Sequence, residues 1–318
     1  MESNKTMEFD DLNDLDDIDE FSNDQASYLT DYQDHAILMH REAHYGGSFD
    51  EMIQYYLRGG KGACQEFEIE RIQALADMEK NRKCNLAAEL LTGAEMEKIA
   101  RVKKMYNRFR DLYESSQPGS KIPLLIADLI LSEEWEPVNE IEAVVKEKDK
   151  IVPALIELLR GADFYDPLFP GYGLSPSLAA ACLGKIGDKR AIIALFELIG
   201  EENFFNEDTI LDALHSIGEP AKIFLLKVLV SKPFTQDNEK AAIALINFKD
   251  DPEVALASFN MLKDPHLIRL MPLAAYLVLV CEGLKQPSDR EEFIAMSKAD
   301  STPKGLKQDM KIITHAWK

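Results

Sequence analysis

A spacing of 31 residues constrains this chain more than any other feature. It carries Cys182 to Ala213, Ala244 and Ala275, all small, and Leu183 to Leu214, Leu245 and Tyr276. It also carries Ile186 to Ile217, Phe248 and Leu279. A small residue beside a large one, with another large one four on, is what helices need to stack closely in successive layers. Residues 178–199, LAAACLGKIGDKRAIIALFELI, show the unit in full. Ala179, Cys182, Leu183 and Ile186 make one apolar face at helical spacing. Gly187 suits a left-handed helix C-terminus, and Asp188 suits the cap of a following helix. Ile192, Leu195, Phe196 and Ile199 form the second apolar stripe. The two helices are expected to lie antiparallel as a hairpin that needs neighbours to bury the rest of its apolar surface. The second helix recurs less strictly, at 151–159, 191–199, 221–229 and 254–262.

These residues resemble the short HEAT-like repeat first described in phycobilin lyases. The resemblance is complete in AAACLGKIGDKRAIIALFELI, diluted in ALHSIGEPAKIFLLKVL and faint in ALINFKDDPEVALASFNML, and it covers about residues 151–284. It implies an α-solenoid of helical hairpins that serves as a binding surface. It carries no activity with it, because such repeats support unrelated functions. Some HEAT-like enzymes hold a di-iron centre on paired His-Glu ligands. Here only His215 and His266 fall in the repeats, each followed by a non-acidic residue. Other HEAT-like proteins are DNA glycosylases that use a basic groove, which this chain does not have.

Charge points the same way. The net charge is −20. Residues 1–34 hold twelve acidic side chains and a single basic one, Lys5. Nucleic acid is a poor partner for such a chain, since binding it requires Lys and Arg to neutralise phosphates. No run of 18 apolar residues exists, so no membrane span is expected. The acidic N-terminus has no apolar stretch of the kind a Sec signal needs. Cys64, Cys84, Cys182 and Cys281 are far apart, without a CxxC, and read as reduced thiols rather than a disulfide framework or zinc site. A cytoplasmic location follows as the expectation.

Residues 1–30 form an acidic tail whose composition predicts disorder. Within it Phe9, Leu12, Leu15, Ile18 and Phe21 recur every third position among carboxylates. That pattern belongs either to a solubilising tail or to a segment that docks, on a partner or on its own chain. Residues 31–116 read as a helical N-terminal module with helices over 36–45, 48–57, 65–81 and 94–114. The last carries a basic stripe, Lys98, Arg101, Lys104 and Arg108, which is either a solvated face or a dock for the acidic tail. SSQPGS at 115–120 is a linker, and residues 121–318 form the solenoid. Its end, 303–318, is a capping helix with Leu306, Met310, Ile313 and Trp317 on one side and Lys304, Lys307 and Lys311 beside them.

Two motifs that invite a catalytic reading do not support one. His40 and His44 stand at i, i+4 near His35, but HREAH has no glutamate directly after the first histidine, as metallopeptidases require. The three histidines read as a polar surface cluster, and no metal is expected. Gly59-Gly60-Lys61-Gly62 lacks both the preceding strand and the GxxxxGK[ST] spacing of a phosphate loop. No cofactor and no catalytic residue is expected.

One irregularity interrupts the repeats. Residues 162–173, ADFYDPLFPGYG, lengthen one connection, and proline and glycine exclude a helix there. Phe164, Tyr165, Phe169 and Tyr172 make it too apolar for an ordinary loop. It is either a lid, folded back over Trp135 or the first repeat, or a partner-binding element. The sequence therefore reads as an all-α protein, an α-solenoid of four to five HEAT-like hairpins preceded by a smaller helical module. Its expected function is protein–protein interaction as a scaffold, adaptor or regulatory subunit. A lyase-like enzyme or assembly chaperone acting on a bound protein is the alternative. The oligomeric state is left open.

Overall fold

In the computed structural model, residues 32–60, 67–115, 121–132, 134–201 and 207–317 are described, and among them there is helix and no strand. They divide into two compact units, up to Asp111 and from Leu112 onward. That division falls inside a helix; of the expected linker 115–120, residues 116–120 lie outside the described residues.

The first unit contains α1 (32–44), α2 (Phe49–Leu57), α3 (Ile69–Arg82), α4 (Leu86–Leu90) and most of α5 (Gly93–Glu114). Ser48 caps α2, its hydroxyl accepting from the Glu51 N–H at 3.2 Å. Asn85 does the same for α4, a short helix with no periodicity to announce it. Ile37, Leu38, Phe49, Met52, Ile72, Leu75 and Leu86 form the core, with Phe67 packed in from the segment before α3. Buried with it is Arg41, with no exposed surface. Its guanidinium donates to both Glu79 oxygens at 2.9 and 3.0 Å and to Glu42 at 2.8 Å, and lies 4.4 Å from the Phe49 ring. Glu79 also accepts the Leu86 N–H at 2.8 Å, so one carboxylate ties together α1, α3 and α4.

The histidines expected on the surface are not all there. His40 is buried between His44 and Phe67, with ring centroids 5.2 and 5.0 Å away. Burial, then the neighbouring His44 and Lys98, push the His40 imidazole down to about 3. Below the unfolded value, near 6.5, the unfolded chain takes up a proton that the folded protein refuses. Stability should therefore hold above about pH 6.5 and fall by about 1.4 kcal/mol per pH unit as the pH drops further. Urea unfolding of the first unit at about pH 7 and pH 5 checks this. Replacing His40 with glutamine should flatten the slope, and an unchanged slope would refute the assignment.

The second unit runs α6 (Ile122–Ile130), α7 (Val138–Val145), α8 (Val152–Arg160), α9 (Ser175–Ile186), α10 (Ile192–Glu197) and α11 (Glu207–Ile217). It continues with α12 (Glu219–Leu229), α13 (Gln236–Leu245), α14 (Pro252–Leu262), α15 (Leu273–Val280), α16 (Pro287–Lys298) and α17 (Lys304–Ala316). Six of these, α6, α8, α9, α12, α14 and α16, carry proline in the first turn, where its missing N–H costs nothing.

Packing gives the unit its order. The pairs α6/α7, α8/α9, α10/α11, α12/α13, α14/α15 and α16/α17 lie against each other, and α9 packs on α7 and α11, as α15 does on α13 and α17. Gly187 is left-handed at φ 73° and the Asp188 carboxylate caps the next turn, as the sequence indicates. Within 178–199, however, α9 has its main packing with α8 and α11 rather than with α10. Helix α10 has six residues against twelve in α9, and a 3-10 turn, Lys189–Ala191, redirects the chain before it. A helix of that length covers only about 9 Å of its neighbour.

Close approach explains the small residues. A Cβ on Gly184 would sit 2.7 Å from the Ala213 Cα. Cys182, Ala213 and Ala244 are all buried, with Leu183, Leu214 and Leu245 beside them. Ala275 and Tyr276 are only half-buried and Leu279 is 41 % exposed. Ala274, Leu277, Val278 and Cys281 take the inward positions instead. The 31-residue step therefore does not carry into α15, because the connection before it contains an extra turn, Leu267–Arg269. At the end of the unit Leu306, Met310 and Ile313 of α17 are buried, and the Trp317 indole donates to the Glu282 carbonyl at 2.8 Å.

Candidate partner-binding surfaces

The aromatic loop closes on itself. After α8 a 3-10 turn, Ala162–Tyr165, forms where no helix was expected. The Tyr165 hydroxyl donates to the Leu159 carbonyl at 2.5 Å, and the Asp166 carboxylate accepts the Leu168 N–H at 3.0 Å. Burial pushes the Tyr165 hydroxyl up to about 12, with Glu201 adding to it. Gly171, Tyr172 and Gly173 all have positive φ, which folds the chain back onto α9; Gly171 sits against Ser175 and Ile130. Phe169 is 1 % exposed and Leu168 4 %. Phe169 is therefore a core residue and cannot meet a partner, which corrects its place among the candidate contacts. Phe164, Tyr165 and Tyr172 are half-buried. Trp135, which a lid was expected to cover, is 72 % exposed.

Trp135 instead stands at the rim of a groove of about 710 Å³. Ile141 and Val145 of α7 and Leu178 and Ala181 of α9 line it, with Leu174 beneath the loop and Thr209 of α11 beside it. Val138 continues the rim and is 61 % exposed. Both signs of charge border it, Glu136 and Glu142 with Lys146 and Lys185. Nothing local to SEEWEPV marks this groove, because its floor comes from two helices, α7 and α9, with all of α8 and the aromatic loop between them in sequence.

A second feature lies on α10, α12 and α14. Ile193, Ile223 and Leu256 are 56, 45 and 40 % exposed. Each stands two residues after a buried marker of the recurring helix, Ala191, Ala221 and Val254, so one exposed apolar side chain repeats per helix pair. The recurrence is visible in the sequence, but the outward direction of these residues is not.

In the first unit Arg101, Lys104 and Arg108 are exposed on α5, opposite the buried Ile99 and Val102, whereas Lys98 is half-buried. Phe9, Leu12, Leu15, Ile18 and Phe21 lie outside the described residues, as do Cys64, Lys61 and Gly62. Among the described residues no three His, Cys, Asp or Glu side chains stand together as metal ligands. No helix there is long and apolar enough to cross a membrane. Burial pushes the Cys182 thiol up to about 12 and the Cys281 thiol higher still, so both behave as small apolar side chains. Compared with known proteins, the chain matches no family model and no curated protein.

Proposed function

We propose that the protein is a cytoplasmic scaffold, adaptor or regulatory subunit without catalysis of its own, whose second unit is a HEAT-like solenoid that binds another protein. The solenoid reading rests on the resemblance of 151–284 and on the successive helix pairs with their buried, recurring small residues. The binding reading rests above all on the groove between α7 and α9, with its apolar floor and the exposed Trp135 and Val138 at its rim. A solvent-facing tryptophan beside an apolar channel is the composition of an interface anchor. The channel runs between two helices and is bordered by both signs of charge, which suits an amphipathic helix laid in by its apolar face. The partner in this reading is such a helix, carried by another protein.

Site-specific photocrosslinking in the native cell tests this. A benzophenone side chain at Val138 of the full chain should yield one discrete adduct, which the same group at the exposed Glu291 does not. Trp135→Ala should weaken the captured complex about 30-fold, the loss typical of a buried tryptophan anchor. Adducts that are the same from both positions would refute the groove as the binding site.

A further inference from the structure

Residues 98–110 carry six cations, Lys98, Arg101, Lys103, Lys104, Arg108 and Arg110, and no acid, in a chain of net charge −20. Helix α5 turns Arg101, Lys104 and Arg108 outward on one face. Lys103 reaches Glu42 at 3.6 Å. Among the described residues no carboxylate lies within ion-pair distance of Lys104, Arg108 or Arg110, although the chain has 56 acidic residues. Lys104 and Arg108, exposed on one face without a carboxylate among the described residues in so acidic a protein, point to an anionic occupant. The face is not only charged. Met105 and Phe109, one turn apart, are half-buried, and Met105 stands at i+4 from Arg101 and i−3 from Arg108, which places an apolar ledge beside the cations.

The complementary segment is in the same chain. Residues 8–20 hold eight acids and no base, with Phe9, Leu12, Leu15, Ile18 and Phe21 spaced among them. Geometry brings it to the right place. His35 Nδ1 lies 3.1 Å from Glu95 Oε1, and His44 Nδ1 lies 3.0 Å from the Tyr106 hydroxyl. Helices α1 and α5 therefore run side by side in the same direction, and the chain enters α1 next to the first turn of α5. Eleven residue steps lead from Phe21 to Tyr32, a reach of up to about 36 Å, whereas Lys98 to Arg108 spans about 15 Å along the helix. A tether that short gives an effective concentration in about the millimolar range, so weak individual contacts suffice.

We propose that residues 8–21 dock in cis on the exposed face of α5, with carboxylates against Lys104 and Arg108 and apolar side chains over Met105 and Phe109. The charges set register and orientation, since exposed ion pairs are individually weak, and the apolar contacts hold the segment. An acidic partner of this face must then displace the segment first.

The test uses the full chain with a benzophenone side chain in place of Phe21 and, separately, of Phe9. Irradiation of dilute protein should give adducts within one chain that map by mass spectrometry to residues 98–112. The variant Lys104→Glu, Arg108→Glu, changed only at exposed positions, should keep the melting temperature while the adduct yield falls about fivefold. Salt at about 0.5 M should lower the yield only in part, because charge supplies one share of the contact. Adducts that link two chains would assign the face to a second copy's segment and overturn docking in cis. Adducts that map elsewhere, or a yield unmoved by the charge reversal, would overturn the site itself.

Discussion

Replacing Glu79 with alanine should strip the first unit of much of its stability while the second keeps its own. Arg41 is fully buried, and the variant would strand its guanidinium with the one carboxylate of Glu42. It would also remove the acceptor of the Leu86 N–H and the link between α1, α3 and α4. Removing one partner of a buried ion pair costs about 3–5 kcal/mol, a large share of the roughly 5–15 kcal/mol that holds a small domain together. Amide exchange should accelerate throughout α1 and α3 and remain slow in α9 and α11. The double variant Arg41→Met, Glu79→Leu should recover much of the loss, because no buried charge is left unpaired. Slow exchange in α1 of Glu79→Ala would show that the pair is not what holds these helices.

Replacing Gly283 with alanine should be the most damaging small change in the second unit. A Cβ there would overlap the Lys249 carbonyl oxygen, a backbone atom that cannot swing aside, and would press on the Ala255 methyl. The neighbourhood is already tied on every side. Lys249 Nζ pairs with Glu282 at 2.6 Å, the Glu282 carbonyl accepts from Trp317, and the Cys281–Gly283 turn packs on α14 and α17. Overpacking a dense site costs about 1–3 kcal/mol, and backbone overlap places this case at the upper end. In a unit of this size the melting temperature should drop by about 6–12 °C. Calorimetry of the full chain reads it directly, and a drop below about 2 °C would mean that the two segments part easily.

Features that depend on neighbours along the chain are legible in the order of the residues alone. The left-handed Gly187, the Asp188 cap, the Ser48 cap and the amphipathic spacing of α17 are set within three or four residues, where sterics and hydrogen bonding leave few alternatives. The recurring markers Ile151, Ala191, Ala221 and Val254 are all buried for the same reason. A helix that must hide a stripe hides these residues, whatever covers them.

What covers them is decided only in three dimensions. That α9 pairs with α8 and α11 rather than with α10 follows from helix lengths and a 3-10 turn, not from the apolar pattern. Guanidinium and imidazole groups ordinarily seek water, so nothing in HREAH announces that Arg41 and His40 are buried. Only the arrival of Glu79, 38 residues away, makes a buried arginine tolerable. For the aromatic loop 162–173 the sequence leaves a lid and a partner-binding element open; only the packing puts Phe169 inside and leaves Trp135 out, although both side chains are apolar. Composition and spacing determine which side chains seek burial; the packing of distant helices decides which of them find it, because the covering surface is contributed by residues no local pattern connects.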